Sequence, residues 1–238
     1  FLPPMSMELG WGRETFAFAL ALQNLVWGFT QPVIGMLADR WGGGRVVVAG
    51  VVLYCAGLYG MASSTSPLML ALTSGVAIGT ALSCCTFSVV AVAFNRKYSP
   101  AQRTQALGIA GAAGSFGQFA MLPIAEYLIS GLGWHNALLA LGAAILFMLP
   151  AAFGIVERSE GHAAALGATS AREALAEALR SRDYWLLSLG FFVCGFQVVF
   201  IAIHLPAFVL DAGLSPKVGV QALALIGLFN IFGSYLAG

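Results

Sequence analysis

Long apolar runs, broken by short polar stretches, organise the chain. Seven segments reach or approach the roughly 20 residues a helix needs to cross a bilayer core: 14–37, 46–62, 68–94, 104–129, 136–156, 184–210 and 218–238. None shows the strict alternation of a membrane barrel strand, so the spans are predicted to be helical. Pro32, Pro123 and Pro206 fall inside spans, where neighbouring helices can satisfy the freed carbonyl. The pattern predicts an all-α membrane protein, a polytopic helical bundle.

Composition agrees. Of 238 residues, 59% are hydrophobic and 9% charged, with mean hydropathy +0.87. A soluble domain carries about 25% charged residues, so a cytosolic enzyme is excluded. A disordered chain needs the opposite balance. The net charge of +1 gives nucleic acid nothing to hold. Cys55, Cys84, Cys85 and Cys194 sit in apolar stretches without C-x-x-C spacing, which points to small buried hydrophobes and to neither a zinc site nor a disulfide framework.

Charge placement sets orientation. Arg40, Arg45, Arg96, Lys97, Arg103, Arg158, Arg172, Arg180 and Arg182 fall on one face of the predicted bundle, and only Arg13 and Lys217 on the other. The richer face is the cytoplasmic one. The long connection 157–183 lies there, and Ser170 followed by Glu173 reads as a capping box opening a short amphipathic helix.

Small residues recur at helical spacing. Ala71, Gly75, Gly79 and Ser83 form one ridge, and Ala110, Ala113, Gly114 and Gly117 another; both are expected to pack closely against neighbouring helices. Polar residues within spans are costly and tend to face the bundle interior or a cavity. Gln23, Asn24 and Gln31 occupy the first span. The candidate substrate-pathway residues are Gln118 in the fourth, Gln197 and His204 on one face of the sixth, and Asn230 and Ser234 in the seventh. Glu126 lies near the outer boundary, and no charged side chain is predicted deep in a span.

The first cytoplasmic turn reads Gly35-Met-Leu-Ala-Asp39-Arg40-Trp-Gly42-Gly-Gly-Arg45. It resembles the G-x-x-x-D-R-x-G signature of the major facilitator superfamily, secondary transporters of twelve helices in two six-helix halves. In that family the signature latches the cytoplasmic gate and does not bind substrate. Gly35 is expected to let helices approach, Asp39 to supply charge near a helix N-terminus, and Gly42 to permit a tight turn. The resemblance implies a gating set around Gly35, Asp39, Arg40, Gly42, Arg45 and Arg103; Asp39 is expected to pair with a nearby arginine, of which Arg103 at the start of the fourth span is the best candidate. Gly43 and Gly44 delay the basic residue that usually follows Gly42 directly. Ser99-Pro100-Ala101-Gln102-Arg103 is similar to the family's fourth loop. Gly133-Trp134-His135 is similar to its G-W-R turn, with His135 in place of Arg. Thr73 and Ser74 stand where many members carry an arginine, so proton antiport has no support from that position.

Against this template the seven spans correspond to family spans two through eight. The chain is expected to be a fragment: 1–156 the N-terminal half without its first helix, 157–183 the linker, and 184–238 the start of the C-terminal half. The resemblance implies alternating-access transport of a small solute across a bacterial inner membrane, with the lipid bilayer and the solute as partners. The stretches Cys194-Gly-Phe-Gln197, His204-Leu-Pro206 and Leu228-Phe-Asn230-Ile-Phe-Gly233 look most like monocarboxylate and oxalate–formate carriers. An organic acid moved with a proton or a counter-anion is therefore the expected cargo, with efflux of drugs or sugars as the alternative within the family. A seven-helix receptor is the alternative outside it, but there the Asp-Arg pair would follow the third span, and an outer cysteine pair is missing. No Ser-His-Asp, paired-Asp or H-E-x-x-H arrangement occurs, so no enzyme activity, metal or cofactor is predicted.

Overall fold

A computed structural model describes residues 1–86, 89, 100–155 and 171–237. The side chains of Arg103 and Ser234 lie outside the described residues, as do Ser170 and the proposed cap it would make. The regular elements among the described residues are all helices, without strands: α1 (Leu2–Leu9), α2 (Arg13–Trp41), α3 (Gly43–Ala62), α4 (Pro67–Cys84), α5 (Pro100–Leu146), α6 (Met148–Ile155), α7 (Ala171–Arg180), α8 (Arg182–Asp211) and α9 (Pro216–Ala237).

The described parts of the seven predicted spans fall mainly on these helices. Five stretches of the described residues are long and apolar enough to cross a membrane: Gly43–Ala62, Pro67–Cys84, Gln105–Pro150, Arg182–Asp211 and Pro216–Gly233. The 46-residue stretch Gln105–Pro150 holds two predicted spans in one run. It is broken at Gly133, with φ 76 and ψ 163, and again at the Phe147 turn that separates α5 from α6. The 29 residues of α2 cover about 43 Å at the helical rise of about 1.5 Å per residue, ample for a crossing, but Gln23, Asn24 and Gln31 make it less apolar. Of the third predicted span, most of the stretch beyond Thr86 lies outside the described residues. The helix stops at Cys84, and Cys85 takes the non-helical φ −106, ψ 13.

Local chemistry explains several helix ends. Ser66 accepts a hydrogen bond from Met69 N at 3.2 Å, and Pro67 follows as the first helical residue, a position that needs no N–H donor. Ser181 caps α8 by accepting from Tyr184 N, with Asp183 in the positive first turn. α8 ends on Gly213 (φ 75), where Gly213 N donates to Leu210 O and Leu214 N to Val209 O. These are the two bonds of a Schellman stop.

One departure from α geometry lies inside α4. Residues Ala71–Ile78 form a π-helix, eight residues of wider turn between α-helical ends. Such stretches are rare and are usually a single turn.

The described residues fall into two compact units, Phe1–Ser159 with Gly227–Gly238, and Glu160–Ile226. The first unit has two apolar clusters. Met5, Phe16, Leu58, Leu70, Trp134 and Leu138 build one, and Ile34, Ala38, Val46, Val47, Val51 and Cys84 the other. In the second unit α8 and the start of α9 meet where Val209 and Pro206 face Gly219.

Candidate gate and substrate pathway

The signature turn is a single residue. Gly42 ends α2, donating its N–H to Ala38 O at 2.9 Å, and α3 begins at Gly43. Its φ 89, ψ 139 belongs to a region that side chains other than glycine rarely adopt, so the expected tight turn is present and requires glycine. Gly42, Gly43 and Gly44 are all buried, while Asp39, Arg40 and Arg45 are exposed around them. The apolar cluster of Ile34, Ala38, Val46 and Val47 holds the turn from behind. The charged groups are thus displayed on a rigid corner. Asp39 takes part in an interaction in the structure.

Gly35 behaves differently from expectation. No atom of the described residues lies within 4 Å of where its Cβ would stand. The reason is rotational: Ile34 and Ala38 carry the buried face of α2, and Gly35 sits one step of about 100° round from Ile34.

The ridge of α4 packs as its spacing implies. A Cβ on Gly75 would lie 2.8 Å from Leu22 Cδ2, and one on Gly79 2.8 Å from the backbone oxygen of Gln23 and 3.1 Å from Val26 Cβ. Ser83, the last ridge residue, is fully buried. Its Oγ is 2.8 Å from Trp27 O, to which it donates, and 2.6 Å from Thr30 Oγ. The second ridge does not repeat this: among the described residues nothing approaches a Cβ on Gly114 or Gly117 within 4 Å, and Ala113 is exposed. The close approach to α5 comes instead through Gly227 of α9. A Cβ there would lie 2.9 Å from Phe119 N, 3.2 Å from Phe119 Cα and 3.3 Å from Ser115 O. Backbone meets backbone at that point, which only a residue without a side chain allows.

The predicted pathway residues are distributed around these contacts. Gln118, half-buried, adjoins Phe119 on α5, and Asn230, exposed, lies three residues beyond Gly227 on α9. Both flank the crossing, and no hydrogen bond joins them among the described residues. Gln197 and His204 are exposed on α8, in the other unit. His204 packs on Phe200 with ring centroids 4.6 Å apart, the end of a ladder that runs Phe192, Phe196, Phe200, His204 at four-residue spacing.

Other polar contacts had no sequence signal. At the turn resembling G-W-R, Trp134 is buried and its indole N–H donates to the Glu8 carboxylate, while His135 Nδ1 lies 2.9 Å from Ala62 O. These bonds tie α1, α3 and α5 together at one end of the first unit.

An all-helical chain with several bilayer-length apolar helices, glycine crossings and a charged single-glycine turn is an integral, multi-pass membrane protein. The model of the Major Facilitator Superfamily matches residues 1–238, and the chain belongs to that family. It is similar to the mouse (Mus musculus) monocarboxylate transporter 11, 30% identical over 149 residues, covering 63% of this chain and 33% of the relative. An uncharacterized MFS-type transporter of Bacillus subtilis, YcxA, is 26% identical over 251 residues, covering 100% of this chain and 58% of its own length. The human (Homo sapiens) monocarboxylate transporter 2 is 32% identical over 116 residues, covering 48% and 24%. The chain therefore spans between a quarter and three fifths of these relatives.

Proposed function

We propose that the protein is part of a secondary carrier that moves a small organic acid, a monocarboxylate, across a bacterial inner membrane by alternating access. Membership of the superfamily over the whole chain is the observation that carries the transport reading. Two of the three relatives above are named as monocarboxylate transporters, which supports the cargo class over sugars or drugs. The relative aligned with the whole chain is bacterial, which supports the location.

In this reading residues 1–156 are the first half, 157–183 the linker and 184–238 the start of the second half. Asp39 and Arg103 latch the cytoplasmic face, on the corner made by Gly35, Arg40, Gly42 and Arg45. Gln118, Gln197, His204, Asn230 and Ser234 line the route of the solute. None of these side chains is a cation that would grip a carboxylate unaided except His204 when protonated. A proton or a counter-anion moves with or against the cargo, and no chemical step alters it.

A binding panel tests the cargo class. Purified full-length protein is expected to be thermally stabilised by small monocarboxylates and not by sugars or cationic drugs, because a ligand that binds only the folded state raises its stability. Stabilisation by sugars or drugs alone would replace the organic-acid reading with the alternative.

A further inference from the structure

The polar groups of α2 gather midway along it, between the apolar cluster around Phe16 and Trp134 and that around Ile34 and Val47. Most are satisfied. Asn24 donates to Leu20 O at 2.9 Å and Ser83 to Trp27 O at 2.8 Å, and the Thr30 hydroxyl lies 2.6 Å from Ser83 Oγ and 2.7 Å from Val26 O. One is not: among the described residues the Trp27 indole Nε1–H is a buried donor with no acceptor. An unpaired donor is expensive inside a membrane, where no bulk water offsets the loss. A phenyl ring would fill much of the same space without that cost. The nitrogen is therefore suited to a partner it meets in only part of the working cycle.

Two features give that partner a depth and a chemistry. Trp27 is the central residue of the 29-residue α2, which places it near mid-membrane, the depth at which carriers hold their solute. An indole N–H donates and never accepts, so it selects an oxygen acceptor, and an ionised carboxylate is the strongest available. Ser83 of α4 donates to the Trp27 backbone oxygen, and Gly75 and Gly79 let α4 lie close against Leu22, Gln23 and Val26 of the same stretch of α2.

We propose that Trp27 Nε1–H is a solute-binding donor, which hydrogen-bonds a carboxylate oxygen of a small organic acid in the state of the cycle that exposes it. The inference rests on the organic-acid reading above. It assigns to the wall of the first unit a direct contact with the cargo.

The test uses full-length protein in proteoliposomes and in detergent. Trp27→Phe is expected to raise KM for the transported carboxylate about tenfold, the scale of one lost hydrogen bond to a charged group. The maximal rate stays within about twofold, and thermal stability without solute is unchanged or higher. The indole N–H resonance of Trp27, assigned by replacing the other tryptophans with Phe in turn, is expected to move when the carboxylate is added and to stay in place with chloride. An unchanged KM together with lowered stability marks a structural role and overturns the inference. So does a resonance that the carboxylate leaves unmoved, which also decides the matter if Trp27→Phe fails to fold. In both cases wild-type carboxylate transport leaves the organic-acid reading standing. A wild-type protein that moves no carboxylate overturns both.

Discussion

Thr30 Oγ and Ser83 Oγ stand 2.6 Å apart, joining α2 to α4 across 53 positions of sequence. Ser83 donates to Trp27 O, so the bond between the hydroxyls takes the Thr30 proton, which Val26 O at 2.7 Å competes for. Such bonds in membranes are worth about 0.6 kcal/mol on average and up to about 1.7. Ser83→Ala is expected to lower stability by about 1 kcal/mol, and a Thr30→Val, Ser83→Ala double-mutant cycle to show favourable coupling. Additive losses would mean that the two hydroxyls are stabilised separately, each by its own carbonyl.

Gly79 has less room than any conservative replacement needs. Its Cβ would meet Gln23 O at 2.8 Å, and a backbone oxygen cannot swing aside as a side-chain tip does. Gly79→Ala, and more so Gly79→Val, are expected to cost about 1–3 kcal/mol. Thermal unfolding in detergent measures the graded loss.

Gly227 makes the equivalent approach to Phe119 and Ser115. Gly227→Val is expected to force α9 from α5 and to reduce transport well below what the remaining folded protein accounts for. Transport normalised to membrane abundance checks this. Retention of full activity would show that the crossing plays no part in the cycle.

Gly42 is required by its backbone. Alanine at φ 89 is strained by about 1–3 kcal/mol, so Gly42→Ala is expected to loosen the corner that presents Asp39 and Arg45. Asp39→Asn keeps the corner and removes the charge. It is expected to impair transport without lowering abundance, and an Asp39→Arg, Arg103→Asp exchange is expected to restore part of the activity. Loss of function undiminished by the exchange would separate Asp39 from Arg103.

Much of this architecture is written in local sequence. Apolar length marks every helix that crosses, the run Trp41-Gly-Gly-Gly44 marks the turn, and the four-residue spacing of Ala71, Gly75, Gly79 and Ser83 marks the face that packs. These features depend on neighbours within a few residues. What depends on distant partners is not legible. Nothing near Ser83 names Thr30, nothing near Gly227 names Phe119, and Gly35 and Gly114 look like packing glycines although no described helix comes close to them. The π-helix of α4 is silent for another reason: residues 71–78 have the composition of any membrane α-helix, and the wider turn shows only in the backbone bonding. Of the candidate site, the single-glycine turn at Gly42 was readable, whereas the packing of Gly35 was not. The pathway residues were readable as polar positions, but which helices they face was not.

Uptake of a labelled small monocarboxylate into proteoliposomes holding the full-length protein tests the central claim most directly. The account predicts saturable uptake, accelerated by an inward proton gradient or by unlabelled carboxylate inside, and competed by other small monocarboxylates. Vesicles that accumulate no carboxylate under either gradient, yet move a sugar or a cationic drug, would contradict it.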